Sequence, residues 1–269
     1  MQEIDERLFA EFTVQEIVPE ASGFQLRDAE KPVIGEISLK VYINGTEYAS
    51  LLCLNELTEE LALGFLYSEG VIDSFGDVAS IAYNERLFAV MLQLVQGKVV
   101  ERCESLRSVT SGCGKCFTYI NPLKNDQYHP QSLEKRFSLG ELLRAMQEFE
   151  QRSILYQTVG GVHSLLFSHP DFNIFNEDIG RHNCFDKITG VLLRQNRLVE
   201  TEKGALLVSG RVSSEIITKV IRLGVPVLCS RATPTAAAVA LAREYNVTLL
   251  GYVRGEKGYI YSGAERLIP

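Results

Sequence analysis

"GALLVSGRVSSEIITKVIRLGVPVLCSRATPTAAAVALAREYNVTLLGYV", residues 204–253, alternates short apolar runs with helical stretches. The runs "GALLVSG", "PVLCS" and "TLLGYV" are apolar throughout, as in strands buried on both faces. The helices "SSEIITKVIRLG" and "PTAAAVALAREY" lie between them. Strands joined in this way predict an α/β domain with a mostly parallel sheet covered on both sides. Right-handed crossovers then bring successive strand-to-helix loops to one end of the sheet.

Working outward towards the N-terminus, "HNCFDKITGVLLRQN" reads as another helix, and "GGVHSLLFSHPDFNIFNEDIG" as two strands around a Pro-Asp turn. A helix opens at Ser138, which with Glu141 has the spacing of a capping box. Leu142, Met146 and Phe149 repeat along it at helical spacing. Before it, "NPLKNDQYHPQSLEKR" is polar, carries proline and has no periodicity, which marks a boundary. The expected organisation is a small α+β roll over residues 1–122, a linker over 123–137 and the α/β domain over 138–269. In the first part, "ISLKVYINGTEYASLLCL" predicts a hairpin turning at Asn44-Gly45. "LTEELALGFLYSEGVI" predicts a helix capped by Thr58. "RLFAVMLQLVQGKVVERC" predicts a second hairpin turning at Gln96-Gly97.

The 269 residues have ordinary globular composition, and the formal charge of −7 argues against general affinity for nucleic acid or anionic membrane. The first residues carry acids where a secretion signal needs a basic end and an apolar core. No apolar run approaches the roughly 18 residues of a membrane span. A cytoplasmic location is expected, with the cysteines reduced. Cys53, Cys103, Cys184 and Cys229 stand singly and read as small buried hydrophobes.

Three strand-to-helix loops share one chemistry: "EDIGRHN" (177–183), "SGRVSSE" (209–215) and "SRATPT" (230–235). Each carries one arginine (Arg181, Arg211, Arg231) beside small or hydroxyl residues, among them Ser209, Gly210, Ser230 and Thr233. Thr233 is the expected N-cap of its helix, with Pro234 in the first helical position. Helix N-termini and arginine forks both suit phosphate, so the set predicts an anion pocket. For any single arginine, pairing with Asp178, Glu215 or solvent is the plainer reading. His182, beside Arg181, is placed to meet a phosphate or to exchange a proton. His163 enters a strand, where a buried histidine fits as well as a functional one. A P-loop and a G-x-G-x-x-G fingerprint are both missing from the sequence.

"TSGCGKCF", residues 110–117, holds Cys113 and Cys116 in C-x-x-C spacing. A structural zinc site needs four ligands, and the single residues nearby, Cys103 and His129, match no common spacing. A thioredoxin-like couple needs a helix after the pair, whereas "TYINP" follows. A nucleophilic thiol on a glycine-bearing loop is the third reading, with Lys115 and Arg107 as groups able to favour the thiolate.

Taken together, "TSGCGKC", "GGVHS", "EDIGRHNCFDKITG", "SGRVSSEI", "SRATPT" and "YVRGEKGYIYSGAERL" resemble, in order, the FdhD family of formate dehydrogenase accessory sulfurtransferases. The resemblance implies a cytidine deaminase-like three-layer α/β domain behind a smaller α+β domain, and a homodimer. It implies that Cys113 carries a persulfide received from a cysteine desulfurase. That sulfur passes to the Mo-bis(molybdopterin guanine dinucleotide) cofactor, destined for formate dehydrogenase. Cys116 matches a second cysteine that is not universal in the family. Tyr252, Val253, Arg254, Gly255, Glu256 and Lys257 match the segment assigned to the cofactor. The deaminase chemistry itself lacks its residues here, since His163 is followed by Ser164 and Leu165, and Gly112 rather than proline precedes Cys113. The competing expectations are a chaperone that holds the cofactor without transferring sulfur, and a zinc-stabilised scaffold. A permanently bound metal, nucleic acid and membrane are not expected.

Overall fold

The computed structural model describes residues 5–98 and 128–269, and the backbone of Ser108–Val109 and Phe117–Thr118. The chain opens with a long antiparallel ribbon, β1 (Phe9–Glu20) and β2 (Gly23–Ile34), paired from Phe9↔Ile34 to Glu20↔Gly23. Two residues later begins the small lobe: β3 (Ile37–Ile43), β4 (Thr46–Cys53), α1 (Thr58–Ser68), β5 (Val78–Asn84) and β6 (Ala89–Leu94). Its sheet runs β4-β3-β6-β5, and α1 packs Leu61, Phe65 and Leu66 against Leu39, Val41, Val90 and Leu92. The Asn44-Gly45 turn is as expected, with φ of 50° and 80°. Both residues are left-handed, as a two-residue hairpin turn requires.

Two local expectations change. Thr58 is the first helical residue rather than the cap, because Leu57 occupies the N-cap in a left-handed conformation with no side-chain capping bond. The strand "AVMLQL" pairs antiparallel with the preceding β5, not with a strand after Gln96-Gly97, and its other neighbour is β3, in parallel. From residue 99 the expected second arm of that hairpin lies outside the described residues.

β7 (Ser108–Val109) and β8 (Phe117–Thr118) pair antiparallel, with Val109 opposite Phe117. The large lobe follows: β9 (Phe137–Ser138), α2 (Leu139–Arg152), α3 (Ile154–Thr158), β10 (His163–Ser168), β11 (Asn173–Asp178), α4 (Arg181–Arg194), β12 (Ala205–Val208), α5 (Ser214–Leu223), β13 (Val227–Ser230), α6 (Ala236–Glu244), β14 (Thr248–Arg254), β15 (Lys257–Ser262) and β16 (Leu267–Ile268). The Ser138 cap is present, its side chain accepting from the Glu141 N–H at 3.3 Å.

The main sheet has the order β11-β10-β12-β13-β14-β15. Pairing is parallel along β12, β13 and β14 and antiparallel at β11, β10 and β15. Alternate residues face opposite layers, the period-two geometry of a strand. Leu206, Val208, Leu228 and Leu249 meet α4, α5 and α6, while Ala205, Leu207, Val227 and Leu250 meet α2. The result is helix, sheet, helix in three layers. Of the expected linker, the described part packs on the large lobe: Gln131 bonds Tyr245 and Val225, and the buried Arg266 donates to the Ser132 carbonyl.

The lobes meet at α1 and α4, which cross in near backbone contact. A Cβ added at Gly64 would stand 1.8 Å from the Asp186 carbonyl oxygen, and one at Gly190 1.9 Å from that of Glu60. Around the crossing, Ser68 donates to Asp186 at 2.7 Å, and Arg194 pairs with Glu59 and Glu60. Arg222 reaches across to the Tyr67 carbonyl and to Asp73.

Candidate functional site

β11 runs in the same direction as β12, because both are antiparallel to β10. The loops after β11, β12, β13 and β14 therefore gather at one end of the sheet, where β10 also begins. His163 opens β10, and Arg181 and His182 are the first two residues of α4 behind the N-cap Gly180. Gly210 lies against His163: an added Cβ would be 3.2 Å from its Nδ1 and 3.7 Å from the Arg181 Cβ. His163, Ser164, Arg181, Cys184, Gly210 and Arg211 line a narrow cleft there, floored by Leu165, Phe185, Val208 and Ile216. Two of the three predicted arginines are thus brought together. The third, Arg231, instead pairs with Glu150 of α2 at 2.8 Å.

The hydroxyls in these loops hold the backbone in place. Ser209 accepts from the Ser164 N–H at 2.9 Å, and Ser230 donates to the Gly210 carbonyl at 2.8 Å while accepting from the Ala232 N–H at 3.0 Å. Val212 bridges to Pro234 in parallel, so the Pro234 position is spent on a loop-to-loop contact. The helix consequently starts two residues later than expected. Thr235, not Thr233, is the N-cap, accepting from the Ala238 N–H at 3.2 Å, and Thr233 donates to the Pro234 carbonyl.

The segment 252–257 comprises the end of β14, the two-residue turn at 255–256 and the start of β15, and is tied to the third loop by the Tyr252 N–H donating to the Ala232 carbonyl at 3.0 Å. Tyr252 is left-handed, with φ of 52°, and its ring meets Tyr259 edge-on. Arg254 and Lys257 face each other across the turn, exposed together with Gly255 and Glu256. Val253 is buried in the core against α2.

Beneath the cleft lies a buried polar layer that the sequence analysis did not single out as a unit. Asp178 and Lys187, both fully buried, pair at 2.7 Å. Asp178 also accepts from the N–H groups of Gly180 and Leu54 and from the Asn183 amide. One carboxylate therefore sets the bend that launches α4 and ties it to the small lobe. The nine-residue spacing between Asp178 and Lys187 matches no helical repeat, so no sequence pattern announces the pair. Glu177 accepts from Ser153 and Ser164, and burial raises its carboxyl above the usual range.

Burial also sets the charge of the histidines. It lowers His163, with the Arg181 charge adding to the effect. It pushes His182 down to about 3, reinforced by Lys219 and Arg181. The His182 Nε2 stands 3.4 Å from Glu215, whose carboxyl burial raises. At neutral pH the positive charge at the cleft comes from arginine, and His163 is a neutral hydrogen-bonding group there, while His182 faces Glu215 and is not among the lining residues. That arrangement suits an anion held by fixed cations.

Cys113 and Cys116 lie outside the described residues, between the paired positions Val109 and Phe117. Cys103 and His129's proposed partnership falls there too through Cys103. Cys53, Cys184 and Cys229 are buried free thiols, as expected of single cysteines. Cys184 lies under the cleft and donates to the His163 carbonyl, and burial raises its thiol well above the ordinary value. Among the described residues no helix is long and apolar enough to cross a membrane.

The sequence model of the FdhD/NarQ family matches residues 34–268. A relative in Listeria innocua called "Sulfur carrier protein FdhD" is 35% identical over 255 residues, covering 92% of this chain and 95% of its own. A Wolinella succinogenes protein of the same name is 34% identical over 259 residues, covering 94% and 89%. In fold the chain is similar to a crystal structure from Desulfotalea psychrophila, assigned as a formate dehydrogenase accessory protein. The TM-score is 0.74 at 21% identity, with 97% of this chain and 100% of that one covered.

Proposed function

This chain belongs to the FdhD/NarQ family, and from that premise we propose that it is a sulfur carrier serving formate dehydrogenase. Cys113 is the carrier. Its thiolate attacks the outer sulfur of a persulfide on a cysteine desulfurase; an S–S bond forms on Cys113, and the desulfurase leaves as a thiolate. Sulfane sulfur changes hands with no net oxidation. A free thiol has a pKa of about 8.5, so a neighbouring cation such as Lys115 or Arg107 would raise the reactive fraction. The acceptor is a cytoplasmic Mo-bis(molybdopterin guanine dinucleotide), handled as cargo.

The observation that carries this reading is the meeting of His163, Arg181, Gly210 and Arg211 at the sheet end that also holds the 252–257 segment. A dinucleotide cofactor brings pyrophosphates, and a phosphate fits a helix N-terminus flanked by arginine forks. Neutral His163 adds a hydrogen-bonding group without adding charge. Cys116 is an accompanying thiol at the same site.

The test pairs two measurements on wild type and Cys113→Ala. Incubation with desulfurase and cysteine is expected to add the mass of one sulfur atom to the wild type and none to the variant. Activation of a formate dehydrogenase is expected to be lost in the variant. Equal sulfur loading of Cys113→Ala would remove the carrier assignment. Loss of sulfur loading in Cys113→Ala with full activation would instead favour a chaperone that delivers the cofactor without transferring sulfur.

A further inference from the structure

Of the three loop arginines, two line the cleft and the third is held back by a carboxylate. The Arg231 Nε stands 2.8 Å from the Glu150 Oε1, in the last turn of α2. Strand geometry explains the split. Along β13, Leu228 faces α4, α5 and α6, whereas Val227 and Cys229 face α2. The alternation continues past Ser230, so Arg231 leaves the sheet on the α2 side. Its backbone nonetheless belongs to the cleft. The Arg231 N–H donates to the Val208 carbonyl at 3.0 Å, and Ser230 beside it donates to the Gly210 carbonyl at 2.8 Å. Val208 and Gly210 are both lining residues, and Gly210 has no side chain to stand between Arg231 and the cleft.

The pair is poorly made for a structural one. Oε1 and Nε are both shut off from solvent, yet neither makes a hydrogen bond among the described residues, so they meet as charges with the N–H aimed elsewhere. Buried polar atoms left in this way call for an explanation. The two side chains are otherwise 37% and 28% exposed, within reach of water and ions, where an ion pair holds little free energy. Glu150 also sits where the helix dipole disfavours a carboxylate, so helix stability does not account for it.

We propose that Glu150 is an internal competitor for the third arginine: its carboxylate holds Arg231 on the α2 side, and a phosphate in the cleft must displace it to recruit the guanidinium. The exchange is feasible because the ligand offers more charge than one carboxylate and its oxygens match the arginine fork. The result is a grip weaker than three free arginines would give. That suits a carrier, which has to release its cargo, since affinity is tuned mostly through the dissociation rate.

The proposal rests on the reading of the cleft as the place of the cofactor's phosphates. The probe is GDP, which carries the base and the diphosphate of one half of the dinucleotide. Its affinity is measured by titration calorimetry on four full-length proteins: wild type, Glu150→Gln, Arg231→Gln and the double variant, with far-UV circular dichroism to check the fold. Glu150→Gln keeps the shape and removes the charge. It is expected to tighten GDP roughly two- to fivefold, the range that a partly exposed ion pair is worth. In the Arg231→Gln background the same change is expected to have no effect, because the two residues act as one. Unchanged or weaker binding by Glu150→Gln would overturn the proposal. Tightening of the same size without Arg231 would overturn it too, since the acid would then act through its charge alone. Failure of GDP to bind any of the four proteins would instead remove the phosphate reading of the cleft, and the competition falls with it.

Discussion

At the residue scale, His182 shows how a site can be positive without a charged histidine. Its pKa falls from an ordinary 6.5 to about 3, first because burial penalises the cation, then because Lys219 and Arg181 repel it. The consequence for stability has a definite sign. The unfolded chain takes up a proton on His182 near pH 6.5 and the folded one does not, so the unfolded state gains as pH falls. The contribution is complete above 6.5 and is lost progressively towards pH 3. Glu215, Glu177 and Asp186 work in the opposite sense, since burial raises each of them and their protonation favours the folded state. Urea unfolding of wild type and His182→Gln between about pH 7 and pH 5 separates the two, because both proteins carry the same carboxylates and only wild type carries the imidazole. Wild type is expected to lose more stability than the variant over that interval. Equal losses would mean that His182 is protonated in the fold.

At the element scale, the crossing of α1 and α4 depends on two glycines inside helices, where glycine ordinarily costs about 0.5–1 kcal/mol relative to alanine. Here the reverse holds, since an alanine methyl at 190 would meet the Glu60 carbonyl at 1.9 Å. Gly190→Ala is expected to destabilise the protein by about 1–3 kcal/mol, the usual cost of overpacking, read as a lower urea midpoint. Those glycines were visible in the sequence, but spacing alone does not tell a close approach from a weak helix. Other elements were legible for clear reasons. Asn44-Gly45 permits the left-handed turn it forms, and the runs after Gly204, Pro226 and Val247 are apolar enough to be nothing but covered strands. Caps were less legible because the choice among neighbouring hydroxyls is tertiary: the Val212–Pro234 bridge moves the α6 cap from Thr233 to Thr235. The ribbon escaped notice because "FAEFTVQEIVPE" puts apolar residues on both faces, which erases the alternation that announces a half-exposed strand.

At the scale of the whole molecule, the site and the joint between lobes are one structure. Asp178 fixes the N-terminus of α4, where Arg181 and His182 emerge, and the same carboxylate accepts from Leu54 of the small lobe. Asn183, one residue further on, donates to the Leu52 carbonyl at 2.8 Å. The sequence divides cleanly into a roll and an α/β domain, so two independently melting bodies would be the simple expectation. The contacts argue otherwise. Leu193 of α4 is part of the small-lobe core, and the buried Arg222 donates to the carbonyls of Tyr67 and Ile72. Separating the lobes would break these hydrogen bonds and expose apolar surface on both sides, including Leu193 and the residues packed on it. The full chain is therefore expected to unfold in one cooperative step. Far-UV circular dichroism and tyrosine fluorescence, which a chain with 11 tyrosines and no tryptophan makes readable, should give coincident urea transitions. Two separated transitions would show that the small lobe lets go first. The cleft would then be held by the large lobe alone, and Asp178 would lose its role as the link between joint and site.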